Sequence, residues 1–259
     1  MTIDANGLYG RFGAFARGIW DLDRYLEELR RHGIDRSLVS SAESVLHDVR
    51  RGNDLIFKLS LQKKDELIPV AVANPRWPVK EVEECLARGS RAIRLCPATH
   101  HFDLSNPWLM NDFMSFCSAV KVPLIIDVGL SPCRSVYGIV PTAEAMAFCN
   151  RYADLNFLLM NIPGSECAGL TNFLKTHPRV FLENSDLYMA RYVEHLVAAG
   201  LENQICLGTG FGINSMAAGI STIRCAEVTA QQKRKMMGEN IGRFLGLPMR
   251  PESRERVNA

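Results

Sequence analysis

No stretch of this chain holds the roughly 18 to 20 consecutive apolar residues that a membrane-crossing helix needs; the apolar run Pro123 to Ile126 is cut by Asp127. A membrane is therefore excluded as an expected partner. The opening Met1-Thr2-Ile3-Asp4-Ala5-Asn6-Gly7 lacks a basic segment followed by an apolar one, so no secretory signal is read and a cytoplasmic location is expected. The eight cysteines, at 85, 96, 117, 133, 149, 167, 206 and 225, contain no Cys-x-x-Cys pair. That absence removes the common zinc and disulfide spacings and leaves reduced core thiols. There is no basic run: 30 Lys and Arg stand against 28 Asp and Glu, and the 8% of aromatic residues are not interleaved with cations. Nucleic acid is excluded on the same footing. No Gly-x-Gly-x-x-Gly opens a helix after the first strand, which removes the usual dinucleotide fingerprint.

What is present is an ordinary globular composition, 47% apolar and 22% charged over 259 residues, arranged as a repeat of short apolar runs and helix-sized segments. The runs are Thr2 to Ala5, Ser37 to Ser41, Leu67 to Ala73, Arg91 to Cys96, Leu124 to Val128, Leu155 to Met160, Val180 to Leu182 and Ile205 to Leu207. Between them lie helical patterns near Leu22 to Gly33, Ala42 to Leu61, Val79 to Leu86, Trp108 to Val120, Thr142 to Tyr152, Cys167 to Leu174 and Leu187 to Ala199, with further helices after the last run. Short continuous apolar strands separated by helices describe a parallel sheet buried on both faces. Eight units predict an α/β fold of a single (β/α)8 TIM barrel over residues 1–249; an open doubly wound sheet is the alternative with the same alternation. The polar, Arg-rich tail 250–259 is expected to fray, and a homo-oligomer is the expected assembly on general grounds.

In such a barrel, chemistry sits where strands end and βα loops begin. The sequence delivers Asp4 and Asn6 from the first strand, Ser40 and Ser41 from the second, and Asn74 from the third. The fourth brings Arg94 and Cys96 with His100 and His101 beyond, the fifth Asp127, the sixth Asn161, the seventh Glu183, Asn184 and Asp186, and the eighth Thr209. The mouth is polar.

In order along the chain, several of these segments resemble the motifs of the amidohydrolase-related barrels of the amidohydrolase-2 type. Ile3-Asp4-Ala5-Asn6-Gly7-Leu8 stands where that family has Ile-Asp-x-His-x-His, and Arg94-Leu95-Cys96-Pro97 resembles its fourth strand, where the Cys often stands as His. Pro123 to Gly129 resembles Pro-(apolar)3-His-x-Gly; Asn161-Ile162-Pro163-Gly164 stands for a His near Gly; Gly208-Thr209-Gly210 stands for Gly-Ser-Asp, and Asn240 to Leu247 resembles the closing signature. The resemblance implies hydrolysis with a zinc or manganese ion held by histidines of strands one, five and six and the aspartate of strand eight. Here those places hold Asn6, Leu8, Asp127, Asn161 and Gly210, so the metal site reads as lost and no cofactor is expected.

A metal-free replacement is expected from Asp127 and Glu183 as general acid and base, with Arg94 as a clamp for a substrate carboxylate. Asn6, Asn161 and Asn184 would donate hydrogen bonds to substrate, with Asp4, Cys96, His100, His101 and Thr209 also lining the site. The expected partner is a small anionic, carboxylated molecule, and the expected activity a hydrolase, hydratase or lyase. Two other readings stay open. One is a non-catalytic pseudoenzyme barrel that binds a small molecule or a protein. The other is a phosphate-binding isomerase or lyase, using Gly208-Thr209-Gly210-Phe211-Gly212 as an amide cradle.

Overall fold

Strand segments such as Leu-Ile-Ile-Asp at Leu124–Asp127 and Phe-Leu-Leu-Met at Phe157–Met160 show no polar alternation, and every residue in them is buried. A strand of that kind needs cover on both faces, which a parallel sheet flanked by helices provides. The computed structural model, which describes residues 1–11, 18–19, 21–130 and 134–247, has that arrangement. The tail 250–259 and Cys133 lie outside the described residues.

The chain opens with β1 (Ile3–Arg11), which forms a short antiparallel arm with β2 (Gly18–Ile19), and continues into α1 (Leu22–Arg31). Then β3 (Arg36–Ser41) leads through α2 (Ala42–Leu46) to α3 (Val49–Gln62). A single stave follows in two pieces, β4 (Leu67–Pro69) and β5 (Ala71–Ala73), before α4 (Val79–Ala87). Next come β6 (Ile93–Leu95), α5 (Pro97–His100) and α6 (Pro107–Val120), then β7 (Leu124–Asp127), α7 (Arg134–Tyr137) and α8 (Thr142–Arg151). The last staves are β8 (Phe157–Met160) with α9 (Leu170–Thr176), β9 (Val180–Glu183) with α10 (Tyr192–Ala198), and β10 (Ile205–Cys206). Helices α11 (Met216–Arg224), α12 (Ala230–Arg234) and α13 (Asn240–Phe244) follow, the last two joined by a π-helical turn at Lys235–Glu239.

Staves pair in parallel in chain order, from β1 with β3 to β9 with β10. The ring closes where the Ala5 N–H donates to the Leu207 carbonyl (2.8 Å) and the Leu8 N–H to that of Phe211 (2.9 Å). This is the α/β TIM barrel the eight apolar runs imply. Two segments differ from the sequence expectation for local reasons. The helix expected from Ala42 to Leu61 is split, because the Asp48 side chain accepts from the Arg51 N–H (3.0 Å) and starts a new helix there. The expected helix from Leu187 begins only at Tyr192, leaving 187–191 in the loop above β9.

Most of the apolar side chains fill the shell between staves and helices. A second cluster fills the barrel interior, with Ile3, Ala5, Leu38, Ile68, Ala92, Ile125, Leu158 and Phe181 from the staves and Ile241, Phe244 and Leu245 from the C-terminal end. The C-terminal segment thus plugs one end: Phe244 packs edge-on against Phe181, and the Asn240 amide donates to the carbonyls of Glu202 (2.8 Å) and Ile205 (2.5 Å). Gly238 passes so close to the Met1 carbonyl that any Cβ there would overlap it. With the N-terminal end stoppered, the polar ends of the staves face the other opening.

Candidate active site

Side chains alternate along a strand, so residues two apart share a face. Ala92, Ile125 and Phe181 point into the barrel, and the residues two further on are Arg94, Asp127 and Glu183. All three are buried above the apolar plug. Arg94 and Asp127 form an ion pair through Nη2 and Oδ2, reinforced by Nε to the same oxygen (3.1 Å). Burial opposes the Arg94 charge, but the surrounding acidic groups, Asp127 foremost with Cys96 and Glu183, together outweigh it and raise the guanidinium pKa above its ordinary value.

Asn161, just past β8, joins this pair to Glu183. Its amide donates to Asp127 Oδ1 (2.8 Å), its backbone N–H to Glu183 Oε2 (3.3 Å), and its Oδ1 accepts from the Asn6 amide (2.9 Å). The Asn6 amide also reaches Glu183 Oε2 (3.3 Å) and Ser185 Oγ (3.2 Å). Asn161 makes these bonds from the left-handed region, at φ 57°, which asparagine tolerates better than most residues. No cation pairs with Glu183 among the described residues. Burial pushes its carboxyl up to about 8, and although the Ser185 hydroxyl works the other way, the negative charge of Asp186 adds to the rise. The acidic neighbour that matters is Asp186 rather than Asp127, from which Asn161 separates Glu183.

Glu183 is seated closely. A Cβ at Gly208 would overlap its carboxyl group. Gly208→Ala is therefore expected to lower stability by about 1–3 kcal/mol, read as a drop in thermal midpoint.

The other expected site residues lie elsewhere. Asp4 and Asn6 would share a face in a regular strand, but the register of β1 shifts between Asp4 and Gly7. Asp4 accepts instead from the N–H (2.9 Å) and hydroxyl (2.9 Å) of Thr209 and from Ser37 (3.1 Å), tying together β1, β3 and the segment after β10. Asn184 bridges backbone, accepting from the Gly208 N–H (2.8 Å) and donating to Gly219 (2.9 Å). Cys96 packs with Leu8, Ala42, Val45, Val72 and Leu130, and burial pushes its thiol up to about 12, which leaves it a poor nucleophile. A ring nitrogen of His100, Nε2, sits 3.1 Å from the Val45 carbonyl, while His101 is exposed with its ring 5.9 Å from that of Tyr137. In the glycine-rich loop the amides of Gly208, Thr209 and Phe211 already bond to side-chain oxygens, so they do not form an open anion cradle.

Ser185 and Arg134, both beyond the expected set, complete the site together with Asp186. Ser185 bonds to both oxygens of Glu183, and Asp186 pairs with Arg134, whose Nη2 also donates to the Asn161 carbonyl (2.8 Å). Asp186 is visible in the sequence as part of the mouth. Arg134 is not, because it comes from a loop beyond the strand end.

In its fold the chain is similar to many solved structures. One is an uncharacterised TIM-barrel protein from Bordetella bronchiseptica, 14% identical, covering 95% of this chain and 98% of its own with a TM-score of 0.74. A dihydroxybenzoic acid decarboxylase from Polaromonas sp. with bound manganese and 2-nitroresorcinol is 13% identical (95% and 96% covered, TM-score 0.75). A probable 2-pyrone-4,6-dicarboxylic acid hydrolase from Acinetobacter baumannii with citric acid bound is 10% identical (95% and 99% covered, TM-score 0.70). No curated protein sequence matches the chain. Residues 18–247 match the amidohydrolase family model (Amidohydro_2), and the chain belongs to that family. Among the described residues, no helix is long and apolar enough to cross a membrane.

Proposed function

We propose that the chain is a metal-independent hydrolase or lyase acting on a small carboxylated molecule, with Glu183 as general acid. The observation that carries this reading is a pair of buried carboxyl groups in unlike surroundings. Asp127 faces the Arg94 guanidinium, whereas Glu183 lies among neutral donors with its carboxyl pushed up to about 8. At neutral pH Glu183 keeps its proton and can deliver it, as expected of a general acid whose carboxyl is raised by burial. Asn6 and Asn161 position the acid, and Arg94, whose charge is engaged by Asp127, acts through that residue. Two of the similar structures are named for carboxylated molecules, which supports that substrate class.

Zinc or manganese does not fit these residues. Leu8 packs in an apolar cluster and, like Gly210, has no side-chain ligand atom. The Asp127 oxygens already bond to the Arg94 guanidinium and the Asn161 amide, and a divalent ion there would have to displace a buried cation.

The test is a panel of small carboxylates assayed for both binding and turnover. Glu183→Gln should lower turnover about a hundredfold or more while ligand-dependent thermal stabilisation persists. Full turnover in that variant overturns the acid assignment. Stabilisation without product from any carboxylate in the wild type makes the barrel a binding protein. Stoichiometric metal by elemental mass spectrometry after loading with zinc or manganese overturns metal independence.

A further inference from the structure

We propose that Arg134 anchors the substrate carboxylate and that Asp186 holds that place until the substrate displaces it; this rests on the proposed function above. Arg94 cannot serve as the anchor, since its side chain is 1% exposed and closed onto Asp127. Arg134 is 28% exposed, at the start of α7 on the mouth side of the barrel. Its Nε donates to the Gly129 carbonyl (2.9 Å) and its Nη2 to that of Asn161 (2.8 Å), so two backbone contacts fix the guanidinium without neutralising it. The charge is balanced by Asp186 alone among the described residues, and Nη1 makes no hydrogen bond there. A guanidinium has five donors in a planar fork, the geometry that receives a carboxylate.

The anchor is one residue from the chemistry. The Asn161 whose carbonyl holds Arg134 also donates its backbone N–H to Glu183 and its amide to Asp127. A carboxylate on Arg134 therefore sets the rest of a small molecule beside the acid. Exchange of Asp186 for a substrate carboxylate keeps Arg134 paired, and the displaced Asp186, whose carboxyl burial already raises above its ordinary value, takes up a proton rather than remaining a stranded buried charge. Asp186 is held otherwise by the Asn214 amide at 3.5 Å and by the Tyr188 hydroxyl, neither of which carries a charge. Glu183, Asp127 and Tyr188 also face it. That acidic surround favours a singly charged carboxylate over a phosphate dianion.

Benzoate, a planar monoanion, titrated calorimetrically into wild type and variants tests this, with inorganic phosphate as the second titrant. Arg134→Gln should weaken benzoate binding about tenfold or more, Arg134→Lys should recover part of it, and Asp186→Asn should tighten it by removing the charged competitor. A purely structural Arg134–Asp186 bridge gives no tightening in Asp186→Asn, and that result, or unchanged affinity in Arg134→Gln, overturns the proposal. Tighter binding of phosphate than of benzoate overturns the carboxylate class. Benzoate affinity unaltered in Arg134→Gln, with turnover still lost in Glu183→Gln, removes the anchor and leaves the acid. The reverse pattern removes the acid and leaves the anchor. No benzoate binding to wild type or Asp186→Asn overturns the anchor, and loss of turnover in Glu183→Gln still decides the acid.

Discussion

Arg94→Met is expected to unfold at a much lower urea concentration than the wild type, with a loss of about 3–5 kcal/mol. The substitution keeps an unbranched apolar stem and removes the guanidinium, with its charge and its hydrogen-bond donors to Asp127. It leaves the Asp127 carboxylate 3% exposed in the barrel with the Asn161 amide as its remaining partner. Removing one member of a buried pair costs far more than the pair contributes, because the survivor keeps its desolvation penalty. The double variant Arg94→Met with Asp127→Leu should accordingly recover most of the loss. The recovery stays incomplete because the Asn161 amide then lacks an acceptor, at a cost of about 1–3 kcal/mol. Urea midpoints at unchanged slope measure both effects. A double variant no more stable than Arg94→Met alone would show that the pair contributes through its hydrogen-bond network rather than through mutual charge compensation.

The same pair shows what the sequence could and could not reveal. Continuous apolar runs such as Leu124–Asp127 exposed the staves, and strand parity carried Arg94, Asp127 and Glu183 inward from Ala92, Ile125 and Phe181. Parity failed for Asp4, because the irregularity in β1 between Asp4 and Gly7 turns Asp4 and Asn6 to different duties, and no residue type in Ile-Asp-Ala-Asn-Gly-Leu announces it. The bridging role of Asn161 depends on a left-handed backbone that places one residue against Asp127 and Glu183 at once. Arg134 reaches the mouth from a loop, where position follows from tertiary contacts with Gly129 and Asn161 rather than from a period. The positions of polar side chains at strand ends were therefore legible, and those of side chains that reach the mouth from loops were not.

Glu183 should make the fold lose stability as pH rises from 4.5 to about 8, and Glu183→Gln should abolish that share of the slope. Below pH 4.5 the carboxyl is protonated in both the folded and the unfolded chain and contributes no difference. Above it the unfolded chain releases the proton while the folded chain, whose carboxyl is raised to about 8 by burial, retains it. The folded state then binds more protons, so stability falls with pH, and the fall is complete once pH exceeds the folded value. A shift of that size corresponds to about 4–5 kcal/mol. Asp4 and Asp186 are also raised, by burial first, and tilt the wild-type curve the same way, so the difference between wild type and variant is the quantity to read. Glutamine keeps the neutral shape, with its amide facing a Ser185 hydroxyl that can rotate to accept. Any bonds it fails to reproduce shift the curve by a constant. Urea unfolding at pH 5 and pH 9 separates the two contributions: the variant should gain on the wild type by several kcal/mol between those values. Turnover in the wild type should hold across that region and decline only as pH passes about 8, where the folded acid gives up its proton. Parallel stability curves for the two proteins would mean that Glu183 is ionised in the folded barrel, and that the proton it was assigned to deliver is not there.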